Sequence, residues 1–138
     1  MKCKYFKAYE LVSRQDYELL GEAKVWEIMD PRLLETLDAI KERFSKGSMF
    51  VNNWYWGMDR HWSGLRTAES KYWKVGSMHS YGKAVDFVFT EYDEAEVRKY
   101  IIEHPEEFPH IRGIEDFKNM SWVHVDVRDR DDVIVFDG

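Results

Sequence analysis

The chain has 138 residues, one cysteine and a formal net charge of −6; that is the length of one domain, residues 1–138, able to bury roughly 68% of its unfolded surface. A lone Cys3 excludes an intramolecular disulfide and a thiolate zinc cluster, and the acidic balance argues against nucleic acid, whose phosphates need a cationic face. No stretch approaches the roughly 20 apolar residues of a membrane span, and no apolar run of signal-peptide length follows the first residues, so synthesis in the cytoplasm without a signal peptide is the expectation.

Along the chain, residues 7–12 and 16–29 read as helical packing segments. The clearest helix starts at Asp30-Pro31, an N-cap followed by a proline suited to the first helical position. Leu33, Leu37, Ile40 and Phe44 share one face, and Lys46 with Gly47 forms a fitting stop. Residues 49–53 are a strand candidate. The stretch from Asn53 to Ser77 is long, irregular and rich in tryptophan, and loops of that length are often functional. Core packing accounts for most tryptophans, but Trp54, Trp56 and Trp62 are also candidates for a cleft wall. Val85–Phe89 reads as a strand, Asp93 as the cap of a helix running to about Glu103 before Pro105, and Ile111–Asp116 with Trp122–Arg128 as a hairpin pair. Val133–Phe136 is a last strand. Helices first and strands later predict an α+β fold, with N-terminal helices packed on a small central antiparallel sheet.

Two stretches carry candidate chemistry. Ser77 to Phe87 holds His79 and Asp86, separated by Gly82 and Ala84; Trp122 to Arg128 holds His124 and Asp126. Asp86 lies in the otherwise apolar run Val-Asp-Phe-Val-Phe, and a buried carboxylate there needs a partner, either a divalent cation or an arginine. His79, Asp86 and His124 match the three-ligand sets of catalytic zinc sites, which leave one position for water. Gly82 permits a positive-φ turn between the first two, and Ala84 leaves space beside them. By spacing alone, an ordinary arrangement competes evenly: His79 in a surface turn, Asp86 at a strand edge, His124 hydrogen-bonded in the sheet. His61, near Arg66 in the aromatic stretch, is a candidate for the cleft lining, whereas His104 and His110 flank a turn and read as surface residues.

The pattern Ser77-x-His79-x-x-Gly82-x-Ala84-x-Asp86 resembles the SxHxxGxAxD motif of the zinc D-alanyl-D-alanine carboxypeptidases, grouped with hedgehog-type and lysostaphin-type domains. All five fixed positions match, a coincidence of about one in a million per starting residue. Trp122-Val-His124-Val-Asp126 is similar to the later strand bearing the third ligand, Ser63-Gly-Leu-Arg66-Thr67 resembles the SGxRT segment, and Asp30 to Phe44 looks like the leading helix. The likeness spans roughly residues 30–128 and is greatest to compact, phage-type members. It implies one zinc ion held by His79, Asp86 and His124, with Arg66 and Ser77 contacting substrate. It further implies a monomeric, phage-encoded carboxypeptidase or endopeptidase cutting peptidoglycan stem peptides at the cell wall.

The chain departs from that pattern at the general base. Many relatives place an acid or a histidine two or three residues before the third ligand, where this chain has Ser121 and Trp122. Glu115 is the expected substitute. With a turn over Phe117–Met120 it would lie opposite Trp122 and on the face of His124, whereas a five-residue turn would rotate it away. Asp126 is the second option, better suited to orienting His124, and Asp116 is a distant third. Loss of the base would leave a zinc-stabilised but inactive interaction or virion domain, the alternative to an enzyme.

Overall fold

The computed structural model describes residues 1–70 and 72–137. Three α-helices and five β-strands form among them, an α+β arrangement. Helix α1 (Arg14–Ile28) starts where the Ser13 hydroxyl accepts the Asp16 N–H at 3.0 Å, and it is broken at Gly21, where φ is 79°. The helix predicted over 7–12 is only a 3-10 turn, Ala8–Glu10, and Leu11 and Val12 beyond it are fully buried. Helix α2 (Pro31–Arg43) begins as expected: the Asp30 carboxylate accepts the Arg32 N–H at 2.9 Å. It ends before the predicted Lys46-Gly47 stop. Phe44 leaves helical geometry and packs edge-on against Phe89, Tyr92 and Tyr100. Helix α3 (Glu94–Glu103) is capped by Asp93.

The strands are β1 (Met49–Phe50), β2 (Ala84–Phe89), β3 (Gly113–Glu115), β4 (Val123–Asp126) and β5 (Ile134–Phe136), in the spatial order β1-β2-β4-β3-β5. The expected antiparallel sheet is in fact mixed: β5 runs parallel to β3. Both edges of β4 are taken, by β2 and β3, so the returning chain can only add at the free edge of β3. β1 is also shorter than residues 49–53. Asn52 and Asn53 leave the ladder to serve as anchors for residues 60–63.

Period-two alternation sorts the sheet into two faces. Val85, Phe87, Ile114, Val123 and Val125 point inward and belong to one buried cluster with Leu33, Leu34, Leu37 and Ile40 of α2 and Val97 and Ile101 of α3. The opposite face carries Ala84, Asp86, Gly113, Glu115, His124 and Asp126, and is covered in part by the irregular stretch between β1 and β2. No helix among the described residues is long and apolar enough to cross a membrane.

Candidate metal centre

Strand register assembles most of the centre. Asp86 is paired with His124, and His124 with Glu115, so the three stand in one row across β2, β4 and β3. The next row holds Ala84, Asp126 and Gly113. The predicted opposition of Glu115 and Trp122 is wrong by two residues, because the connection spans residues 116–122, with Asn119 at φ 65°. A shift of two keeps the face, so Glu115 still arrives beside His124. From α3, the buried Arg98 holds this connection, donating to the Trp122 carbonyl at 2.5 Å and facing Asp116 at 3.8 Å. Asp116 is thereby turned away from the centre.

His79 comes from a different element, a 3-10 turn over Met78–Tyr81 that Gly82 terminates at φ 68°. A Cβ at Gly82 would lie 2.7 Å from the Ile28 carbonyl oxygen, so both the turn and the close approach require glycine. The stretch Ser63–Arg66 locks this turn to the sheet. The Ser63 carbonyl accepts the Asp86 N–H at 2.7 Å, the Gly64 carbonyl faces His79 Nδ1 at 2.9 Å, and the Arg66 N–H donates to the His79 carbonyl at 3.1 Å. Gly64 fits because a Cβ there would strike the Leu11 carbonyl oxygen at 2.1 Å. Buried Asn52 holds the same stretch, its Oδ1 accepting the Ser63 N–H and its Nδ2 donating to the Val12 carbonyl.

One nitrogen each of His79 and His124 and one oxygen of Asp86 lie within 4.8 Å of one another, a buried group that could hold a metal ion. A tetrahedral ion with bonds of about 2.1 Å needs donor atoms about 3.4 Å apart; His79 Nε2 stands at that distance from Asp86 Oδ2, 3.4 Å, whereas His124 Nδ1 is closer to the other oxygen, Oδ1, at the hydrogen-bond distance of 2.8 Å. Ring tautomers agree with this. A carbonyl only accepts, so Gly64 requires a proton on His79 Nδ1 and leaves the Nε2 lone pair facing Asp86. Asp126, 3.0 Å from His124 Nε2, likewise places a proton there and turns the Nδ1 lone pair towards the centre.

His124 Nδ1 thus faces two carboxylates, Asp86 at 2.8 Å and Glu115 Oε1 at 2.9 Å. A lone pair among acceptors is untenable without a cation between them, either a proton or a metal. Burial pushes the His124 pKa down, but its hydrogen bonds to Asp126, Asp86 and Glu115 outweigh this and hold it well above the usual value. Burial would raise Asp86, and the two histidines overcome that and hold it well below the carboxylate range. Asp126, fully buried, is lowered to about 2: burial opposes the shift, and the Arg128 and His124 hydrogen bonds win. Arg128 grips Asp126 with two nitrogens, at 2.7 and 2.6 Å, and its guanidinium lies over Phe136. A Cβ at Gly113 would meet both Asp126 carboxylate oxygens at 2.3 Å, so only glycine leaves that carboxylate its place.

The other expected site residues are close by. Arg66 donates through Nε to the Trp62 carbonyl at 2.7 Å and faces Asp86, not Glu69, at 3.4 Å. Ser77 lines the same cavity as His79, Asp86 and His124. His61 stacks on Trp54 and lines an adjoining cavity that shares Arg66 and Asp86. His104 and His110 lie elsewhere, the first stacked on Tyr100 and the second paired with Glu35. Asn52, Gly113 and Arg128 were not singled out from sequence. Arg128 alone had a signal there, since it shares the face of Asp126 by the period of two. No family model matches the chain, and neither a curated protein nor a solved structure matches it.

Proposed function

We propose that the chain is a zinc-dependent peptidase, a carboxypeptidase or an endopeptidase similar to the D-alanyl-D-alanine carboxypeptidases, acting on peptidoglycan stem peptides. The observation that supports this most is the convergence of His79 Nε2, Asp86 and His124 Nδ1 with a second acid, Glu115, 2.9 Å from His124 Nδ1. The donor set suits zinc: two imidazoles and one carboxylate, with room for a fourth partner. Zinc held there would supply Lewis-acid activation of water and of the scissile carbonyl.

The remaining work falls to side chains of this chain. Glu115 Oε1 takes the proton of the attacking water and returns it to the amine that leaves. Asp126 keeps His124 in the tautomer that presents Nδ1, and Arg128 keeps Asp126 ionised and in place. Arg66, fixed at Nε by the Trp62 carbonyl and paired through Nη2 with Asp86 at 3.4 Å, presents Nη1 to a substrate oxygen. Ser77 and His61 border the path of the peptide. The second reading, a zinc-stabilised domain without activity, draws on Ser121 and Trp122 standing where relatives carry an acid or a histidine. Glu115, delivered from the neighbouring strand, answers that deficit and favours hydrolysis.

Elemental analysis of the purified chain should find one zinc per molecule, and Asp86→Ala should lose it. A wild-type protein that neither carries nor takes up zinc on reconstitution sinks both readings. Zinc retained without cleavage of any D-Ala-D-Ala or L-Ala-D-Glu peptide selects the inactive one.

A further inference from the structure

The outer face of the sheet continues beyond the metal centre. Phe50 on β1 pairs with Val88 and so shares the face of Asp86 by the period of two. A cavity of about 640 Å³ opens there, at the β1 edge, and it shares no lining residue with the two cavities that meet at Asp86. Its aromatic wall is made of Tyr5, Tyr9, Phe50 and Trp56. Trp56, a candidate for the cleft wall in the sequence, lies here instead and is 48% exposed. That exposure is held rigidly. Trp56 ends a 3-10 turn, Trp54–Trp56, which Gly57 closes at φ 86°, and the Trp54 indole N–H ties the turn down by donating to the Val12 carbonyl at 2.8 Å. The rings of Tyr9 and Phe50 stand edge-on to Trp56 at 6.0 and 5.6 Å, and Tyr55 stacks on Tyr9 at 3.9 Å. An indole kept in water gives up the stabilisation of burial, and one kept there in a fixed pose loses little further freedom when a ligand meets it.

Three charged side chains line the same cavity and limit what can enter. Glu10 is only 7% exposed; its Oε2 accepts the Lys7 N–H at 2.8 Å, and its Oε1 has no hydrogen-bond partner among the described residues. Lys7 and Lys41 are the other two, and Lys41 Nζ commits one proton to the Gly47 carbonyl at 2.8 Å. An anionic ligand would be repelled by Glu10, and a cationic one by the two lysines. A hydrocarbon would strip water from all three and give no hydrogen bond in return. The ligand that satisfies the whole lining is uncharged, with flat C–H faces and an edge of hydroxyls that both donate and accept. We propose that this cavity binds an uncharged saccharide chain, with one pyranose ring laid against the Trp56 indole. The C–H bonds of that ring meet the electron-rich face of the indole. One hydroxyl donates to Glu10 Oε1, and others accept from the lysine ammonium groups. The volume lies within the range of small-molecule sites. The site is separate from the metal centre and does not depend on the peptidase reading.

The test titrates the full chain with chitotetraose, cellotetraose and maltotetraose, followed by calorimetry and by the indole N–H resonances in heteronuclear NMR. At least one of the three should bind with a Kd on the order of 1 mM or below, and the indole resonance that Trp56→Phe removes should be the one that shifts most. Trp56→Ala should weaken that binding by about tenfold or more, with zinc content and melting temperature near those of the wild type. If none of the three binds at about 10 mM, the proposal is overturned. It is equally overturned if binding survives Trp56→Ala unchanged, or if a cationic chitosan tetramer or a sulfated tetrasaccharide binds more tightly than the neutral sugars. Sedimentation with phosphatidylcholine vesicles that is lost in Trp56→Ala, without saccharide binding, would make the surface a membrane contact instead. None of these outcomes bears on the metal centre, which zinc loss in Asp86→Ala tests by itself.

Discussion

The two faces of the sheet use the same strands for opposite ends. On the inner face, Val85, Phe87, Val123 and Val125 are fully buried, and their burial stabilises the fold without any partner of particular chemistry. On the outer face, His79, His124 and Asp126 are buried as well, yet each is polar and each depends on a named neighbour. Burial of the first kind is favourable in itself. Burial of the second is costly unless every donor and acceptor is matched, and the match around His124 Nδ1 closes only with a cation present. The contrast separates scaffold from site within strands of four and six residues.

Substitutions on the two faces should therefore fail in different ways. Phe87→Ala, on the inner face, should cost about 3–5 kcal/mol in denaturant unfolding, while the molecules that remain folded keep their zinc. Metal loss without loss of stability would break the distinction. On the outer face, Glu115→Gln should lower kcat by about 10²–10⁴ while zinc content and melting temperature stay near wild type. A variant that retains turnover would remove Glu115 as the base and move attention to Asp126. Asp126→Asn should weaken zinc binding by about 10–100-fold in a competition titration with a chelator, because it frees the tautomer of His124; an unchanged affinity would mean that the His124 ring is oriented by packing alone.

The smallest effect is the dependence of stability on pH in metal-free protein. Asp86 and Asp126 are held below their usual values, so they contribute stability above about pH 3.8 that is lost as the pH falls through their folded values, about 2 for Asp126. His124 is held above 6.5, so its contribution is complete below that pH and declines as the pH rises through its elevated folded value. Metal-free protein should thus be most stable at mildly acidic pH and weaken on both sides. Zinc should remove the alkaline decline, because it replaces the His124 Nδ1 proton. Thermal melts with and without zinc from pH 3 to pH 9 would show this, and an alkaline decline that zinc leaves untouched would put the ion somewhere other than His124.

Local signals were legible where they did not depend on distant chain. The Asp30-Pro31 start of α2, the Asp93 cap of α3 and the positive φ of Gly82 all appear as expected, since each rests on backbone chemistry within a few residues. The His79–Asp86–His124 grouping was legible only in part: by spacing alone it competed evenly with an ordinary arrangement, and the likeness of the Ser77–Asp86 pattern to a zinc-peptidase motif tipped the reading. The end of α2 was not legible, because Phe44 answers to rings on β2 and α3. Nor was the register of β3 against β4, because the length of the connection is set partly by Arg98 from another helix. Gly113, inside the predicted strand Ile111–Asp116, carried no local sign of its role, because the Asp126 carboxylate that occupies the place of its missing Cβ comes from another strand.

By itself, the order of residues determined the caps, the alternating faces and the chemical identity of the donors, because these follow from local conformation and side-chain type. Only the tertiary structure decided that β5 joins parallel to β3, that Glu115 stands beside His124, and that two cavities meet at Asp86. Those outcomes depend on which strand edges remain free and on contacts between segments far apart in the chain, and no local pattern encodes either.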